Sequence, residues 1–154
     1  MPRSPHDTPL PRLLRDLAHH ASDRRPDGGS CGGFRHHIHD GVLWLMPRHL
    51  AGIERAKTRA GAAPLLQADK VSAYWLAHAL RQDTWRALRG LRGVLPVAAV
   101  SLHHDGVGET PVLIGALLPR GRRLAPGSLD RVLHPPTLAR HARWASGRAR
   151  AGAY

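Results

Sequence analysis

The chain has one cysteine, Cys31, which excludes an internal disulfide and a thiolate metal cluster. It has no apolar run of about eighteen residues, so no membrane-spanning helix is expected. The opening MPRSPHDTPLPRLL lacks the apolar middle of a secretory signal, which makes the cytoplasm the expected compartment and Met1 the expected start of a complete chain. Acidic residues are few: the eleven Asp and Glu stand singly from Asp7 to Asp130, so the paired carboxylates of a hydrolase are lacking. Asp40, Asp69, Asp83 and Asp105 are each accounted for by turns or helix ends. GGSCGG and GVGET lack the spacing and the Lys-Ser/Thr of a phosphate-cradling loop, and no cofactor is expected. There is no internal repeat.

What the chain has is positive charge. Its 154 residues fit one domain plus tails, and twenty-three basic side chains, nearly all arginine, give a net charge of +12. Such an excess attracts polyanions and steers association with nucleic acid. The accompanying richness in Ala and Gly is also what a GC-rich genome produces, so the placement of the charge carries more weight than its amount. Residues 1–118 hold fifteen bases and ten acids, whereas residues 119–154 hold eight bases and one acid. More than half of the excess lies in the last quarter.

Along the chain, residues 1–9 are Pro-rich and read as a flexible N-terminus. Leu10, Leu13, Leu14 and Leu17 then recur at the spacing of one apolar helical face, which predicts a first helix. RRPDGGSCGG breaks it into a loop. FRHHIHDGVLWLMP reads as extended, either a short hairpin turning at Asp40-Gly41 or the single strand VLWLM. Pro47 suits the first turn of a second helix, PRHLAGIERAKTR, with Leu50 and Ile53 inward and Arg48, Arg55, Lys57 and Arg59 mostly outward. Asp69 is a suitable N-cap for a third helix, KVSAYWLAHALRQDTWRALRG, whose Val71, Trp75, Leu76, Ala79 and Leu80 mark a buried face. PVAAVSLHH and ETPVLIGALLP, joined by an Asp-Gly loop, predict a β-hairpin. The end, 139–154, reads as a basic disordered tail.

Helix, strand, helix, helix and hairpin is the order of a winged helix, an α+β fold whose third helix enters a DNA groove while the hairpin forms the wing. Residues 10–138 are assigned to that domain. The local wording also resembles a family. HDGVLWLMPRHLAGI looks like the strand-into-helix block in the C-terminal domain of the large conjugative relaxases and helicases of the TraI (MobH) class. VSAYWLAHALRQ resembles that domain's next helix, and VSLHHDGVGETPVLIGALLP is similar to its closing hairpin, which ends in a G-x-L-L-P run matched by Gly115, Leu117, Leu118 and Pro119. The chain departs from the pattern at His39-Asp40-Gly41, in a longer inter-helix region and in its Arg-rich end. The resemblance implies a winged-helix fold and work on conjugative-element DNA. The nicking region of such relaxases is separate and is not matched, so no nickase or helicase activity carries over.

The histidines are the remaining candidates for chemistry. On a strand, His37 and His39 share a face with Arg35, while His36 points the other way with Phe34 and Ile38, which makes a poor metal cage. His19-His20 and His103-His104 are adjacent pairs whose members point apart, and no metal site is assigned. A nuclease-like cluster of His37, His39 and Asp40 is the enzymatic alternative. DNA contact has more physical support. Lys70, Tyr74, His78 and Gln82 form the expected groove-facing set, with Gln82 able to read adenine. Arg81, Arg86, Arg89 and Arg92 project toward phosphates, and Arg120, Arg122 and Arg123 follow the hairpin. Trp44 and Trp75 are expected in the core, Trp85 either caps the core or stacks a base, and Trp144 among arginines suits single-stranded nucleic acid.

The expected function is therefore a non-enzymatic DNA-binding module, accessory to conjugative transfer or mobile-element DNA processing. Asp105 and Glu109 at the wing tip are unfavourable near phosphate. They support a second expectation, an interaction module that docks to other conjugation proteins.

Overall fold

A computed structural model describes residues 30–31, 34–39, 41–47, 53–64, 70–102 and 108–151. The elements are β1 (Ser30–Cys31), β2 (Phe34–His39), β3 (Val42–Pro47), β4 (Ile53–Pro64), α1 (Lys70–Ala87), β5 (Leu95–Ser101), β6 (Glu109–Pro119) and α2 (Pro135–Arg150). The described strands form one six-stranded sheet in the order β1-β2-β3-β5-β6-β4, and every neighbouring pair is antiparallel.

The middle of that sheet follows from the apolar runs. VLWLM, PVAAV and VLIGALL carry large or small apolar side chains at consecutive positions, so both faces of each strand must be covered. β3, β5 and β6 accordingly lie side by side. One face presents Leu43, Leu45, Ala98, Val100, Val112, Ile114, Ala116 and Leu118, all buried, to the helices. Ala73, Leu76, Ala77 and Leu80 of α1 and Leu138, Ala142 and Ala145 of α2 complete that cluster. The opposite face carries Val42, Trp44, Met46, Val97, Ala99, Leu113 and Leu117 in a second cluster, also buried, to which neither helix contributes. Both described helices therefore lie on one side of the sheet. α1 packs on β3 and β5, and α2 packs on α1 and β4.

Two turns set the strand order. Gly41 at φ 71° closes the two-residue connection between β2 and β3, a left-handed conformation that glycine adopts without a Cβ clash. Gly93, at φ 78°, brings the α1–β5 connection against the end of β6, where an added Cβ would stand 3.2 Å from Cγ of Pro119.

The winged helix is overturned by this arrangement. The hairpin expected as a projecting wing, β5–β6, is instead the centre of the sheet, because its two strands are apolar on both faces and a wing has only one face to bury. The helix expected after Pro47 is not formed from residue 53 onward. Ile53–Pro64 is the strand β4, paired with β6 along its length from Ile53↔Pro119 to Pro64↔Glu109, with one irregularity between Ile53 and Arg55. Its helical reading rested on Pro47 and on the inward Leu50 and Ile53, whereas Arg55, Lys57 and Arg59 alternate with small residues at the period of a strand. Most of the tail expected to be flexible, residues 139–150, belongs to α2. Pro135 and Pro136 start this helix, and Leu138, Ala142 and Ala145 recur along one face and are buried. The third predicted helix is present as α1, and 34–46 is a hairpin. The first predicted helix at 10–17, the N-cap Asp69 and the loop 103–107 lie outside the described residues. No helix among the described residues is long and apolar enough to cross a membrane.

Candidate nucleic-acid interface

Alternation along β2 separates its histidines. His36 faces the helices, edge-on to Tyr74 at 5.0 Å, while His37 pairs with Trp44 on the opposite face. Asp40 lies outside the described residues, and among those described no group of three His, Cys, Asp or Glu side chains is placed to hold a metal ion.

The eleven residues predicted to contact DNA divide into two places. Tyr74, His78 and Arg81 lie at a joint where α1 meets β2 and α2. Tyr74 stacks on His78 at 6.3 Å with an interplanar angle of 13°, and both are half-buried. Trp75 stands edge-on to Tyr74, His78 and Trp144. The Arg81 guanidinium lies 3.9 Å from the centre of the Phe34 ring, and that of Arg148 lies 4.4 Å from the Trp75 ring. These cation–π contacts tie α1 to β2 and to α2. Burial, with the charges of Arg81 and Arg148 nearby, holds the His78 imidazole below its usual pKa. Gln82 is exposed beside it, with Nε2 3.3 Å from His78 Nε2. Lys70 opens α1, and its side chain lies outside the described set.

A half-buried carboxylate reinforces the joint. Asp83 accepts from His141 of α2 at 2.5 Å and from Arg86 at 3.1 Å, so one carboxylate ties the two helices together and also holds the last turn of α1.

The other predicted arginines gather at one end of the sheet. The connection after α1 carries Arg89 and Arg92 past Gly93, which touches Pro119, and Arg120, Arg122 and Arg123 follow directly on Pro119. All five are exposed. β4 adds two cations that the sequence reading did not assign to the site. Ile53 pairs with Pro119, the Arg55 guanidinium donates to the Arg122 carbonyl at 2.9 Å, and Lys57 stands exposed two residues on along the same face. The period-2 spacing of Arg55, Lys57 and Arg59 was the signal that could have found them. Arg59 is engaged by Asp130 at 2.9 Å. Trp85, half exposed in the last turn of α1 with Arg89 over its ring at 5.6 Å, offers an aromatic face near the same end.

Three segments distant in sequence thus bring at least seven cations together: 89–92 after α1, 120–123 after β6, and 55–57 at the start of β4. Such a surface can neutralise successive phosphates of a polyanion, and Trp85 can stack a base. Comparison with protein-family models, with curated proteins and with solved structures finds no match for this chain.

Proposed function

We propose that this is a non-enzymatic DNA-binding protein of the cytoplasm that holds the phosphate backbone with the basic end of its sheet. The observation that carries the reading is the convergence of Arg89, Arg92, Arg120, Arg122 and Arg123 with Arg55 and Lys57, exposed and contributed by three segments distant in sequence. Contacts to phosphate position a protein without reading sequence, so binding is weakly specific. A single strand gains more than a duplex where its unstacked bases reach Trp85. Tyr74, His78 and Arg81 contribute indirectly, by fixing α1 and hence Trp85 and Arg89.

A role accessory to conjugative transfer or other mobile-element DNA processing is proposed from the wording of the segments around Val42–Pro47, Val71–Gln82 and Glu109–Pro119 alone. The fold which that resemblance implied has been replaced by an antiparallel sheet with α1 and α2 on one face, and only the DNA partner is retained from it.

A salt titration tests the reading. Affinity for a mixed-sequence oligonucleotide is expected to fall steeply between low and physiological salt, with a log–log slope of about −0.7 to −0.9 per neutralised phosphate. Replacing Arg120, Arg122 and Arg123 together with alanine should flatten that slope. Salt-independent binding, or an unchanged slope in the triple variant, would remove the basic end from the account.

A further inference from the structure

We propose that the outer edge of β4 takes up an extended segment of a protein partner in which acidic side chains alternate with apolar ones. β4 is the longest strand of the sheet and its last member, paired on one side with β6 and on the other with no described strand. Every second residue of such a strand turns its N–H and C=O outward, which makes the edge a template for one more strand. Exposure agrees: Arg55, Lys57, Thr58, Arg59, Ala60 and Ala62 all face solvent.

The chemistry of the added strand follows from the register. Side chains of neighbouring strands on the same face lie opposite one another, where opposite charges attract and like charges repel. On the helix-bearing face the row is Arg55, Lys57 and Arg59. Asp130 already meets Arg59 there at 2.9 Å, so carboxylates are what this row accepts. On the other face the row is Ala56, Thr58, Ala60 and Ala62, with Ala56 paired to Leu117 and Ala60 to Leu113 of the second apolar cluster. These small side chains make a low, weakly polar floor on which apolar side chains of the incoming strand can rest. Alternation of acid and apolar residues satisfies both faces at once.

Charged residues on a sheet edge ordinarily guard it against association. Here the guard discriminates by sign. Two β4 edges brought together antiparallel would place Arg55, Lys57 and Arg59 of each copy against those of the other, which disfavours a second copy of this chain. The same row favours a carboxylate-bearing strand.

The full chain would be titrated with a labelled peptide of about ten residues, alternating Glu and Val, long enough to span most of β4. Saturable binding is expected, with slowed amide exchange across 53–64. A loss of roughly tenfold or more in affinity is expected on Lys57→Glu, or when alternate peptide amides along the pairing edge are N-methylated. Lys57 is exposed, and an unchanged circular dichroism melt of the variant would show that the fold is intact. Equal binding by a peptide of the same composition with its Glu and Val in separate blocks would overturn the proposal, as would unchanged exchange in β4 or self-association of the chain through this edge. Arg55 and Lys57 belong to both surfaces, so the peptide should still bind the Arg120, Arg122, Arg123 triple alanine variant, which distinguishes peptide binding from DNA binding.

Discussion

Arginines beside the middle of α1 and beyond its C-terminal end do different work in this protein. At the joint with β2 and α2, Arg81 and Arg148 are half-buried, with their guanidiniums over Phe34 and Trp75. Beyond the C-terminal end of the helix, Arg89, Arg92, Arg120, Arg122 and Arg123 are exposed to water. The guanidinium group permits both uses, because it is planar, permanently charged and more weakly hydrated than an ammonium. Over the half-buried rings of Phe34 and Trp75 it packs as part of the structure. At the end of the sheet it stays in water, and Arg89 does so even with the exposed Trp85 ring 5.6 Å away. A formal charge of +12 counts both kinds alike, and only the neighbours of each arginine tell them apart.

Variants that separate the two groups should differ in what they change. The largest effect belongs to Trp75→Ala, which removes the ring shared by Tyr74, His78, Trp144 and Arg148 and is expected to lower unfolding stability by about 3 kcal/mol. Urea denaturation measures it, and DNA affinity per folded molecule should hardly move. Next is the triple replacement of Arg120, Arg122 and Arg123 by alanine. It should weaken DNA binding roughly 10- to 100-fold at low salt, and reduce the salt slope by roughly two to three, while leaving the melting temperature almost unchanged. Equal losses of stability and binding would erase the distinction between the two regions.

Arg148→Met keeps much of the apolar volume and removes the cation over Trp75. A loss of about 1 kcal/mol in stability is expected, with no change in the salt slope. A reduced slope would move Arg148 to the DNA-binding group. The smallest effect concerns pH. His78 is held below its usual pKa by burial and by Arg81 and Arg148, so in the unfolded chain it takes up a proton more readily than in the folded one. Its contribution to stability is present above pH about 6.5, the ordinary histidine value, and is lost as pH falls from there through the lower folded value. His78→Gln should flatten that part of the stability curve, which thermal melts across the acidic range would reveal. An unaltered acid limb would mean that His78 does not titrate against the two arginines.

Several features were legible in the sequence because they depend on local pattern. The apolar stripe of α1 fixed that helix, and Asp40-Gly41 marked the β2–β3 turn. The paired β-prone runs gave β5 and β6. Trp44 and Trp75 were correctly expected against the core. The spacing of Leu138, Ala142 and Ala145 was equally present, but the arginines among them read as a solvated tail. β4 was misread because a segment of small and basic residues has weak preference of its own, and its conformation is decided by eleven paired positions on β6. Of the candidate DNA contacts, Arg89, Arg92, Arg120, Arg122 and Arg123 emerge exposed, whereas Tyr74, His78 and Arg81 are half-buried in the joint, with Tyr74 and Arg81 against side chains of β2, an element far away in sequence.

The sequence by itself determined which segments must be covered on both faces, since consecutive apolar residues in a strand leave no side for water. It also determined the sign of the charge and the place of the tight turns. Tertiary structure decided which strands became neighbours, that α1 and α2 lie on the same face, and which guanidiniums rest on aromatic rings. Those outcomes depend on contacts between residues dozens of positions apart, such as Arg55 with Arg122 and Asp83 with His141. Local preference carries no information about which distant partner closes such a pair.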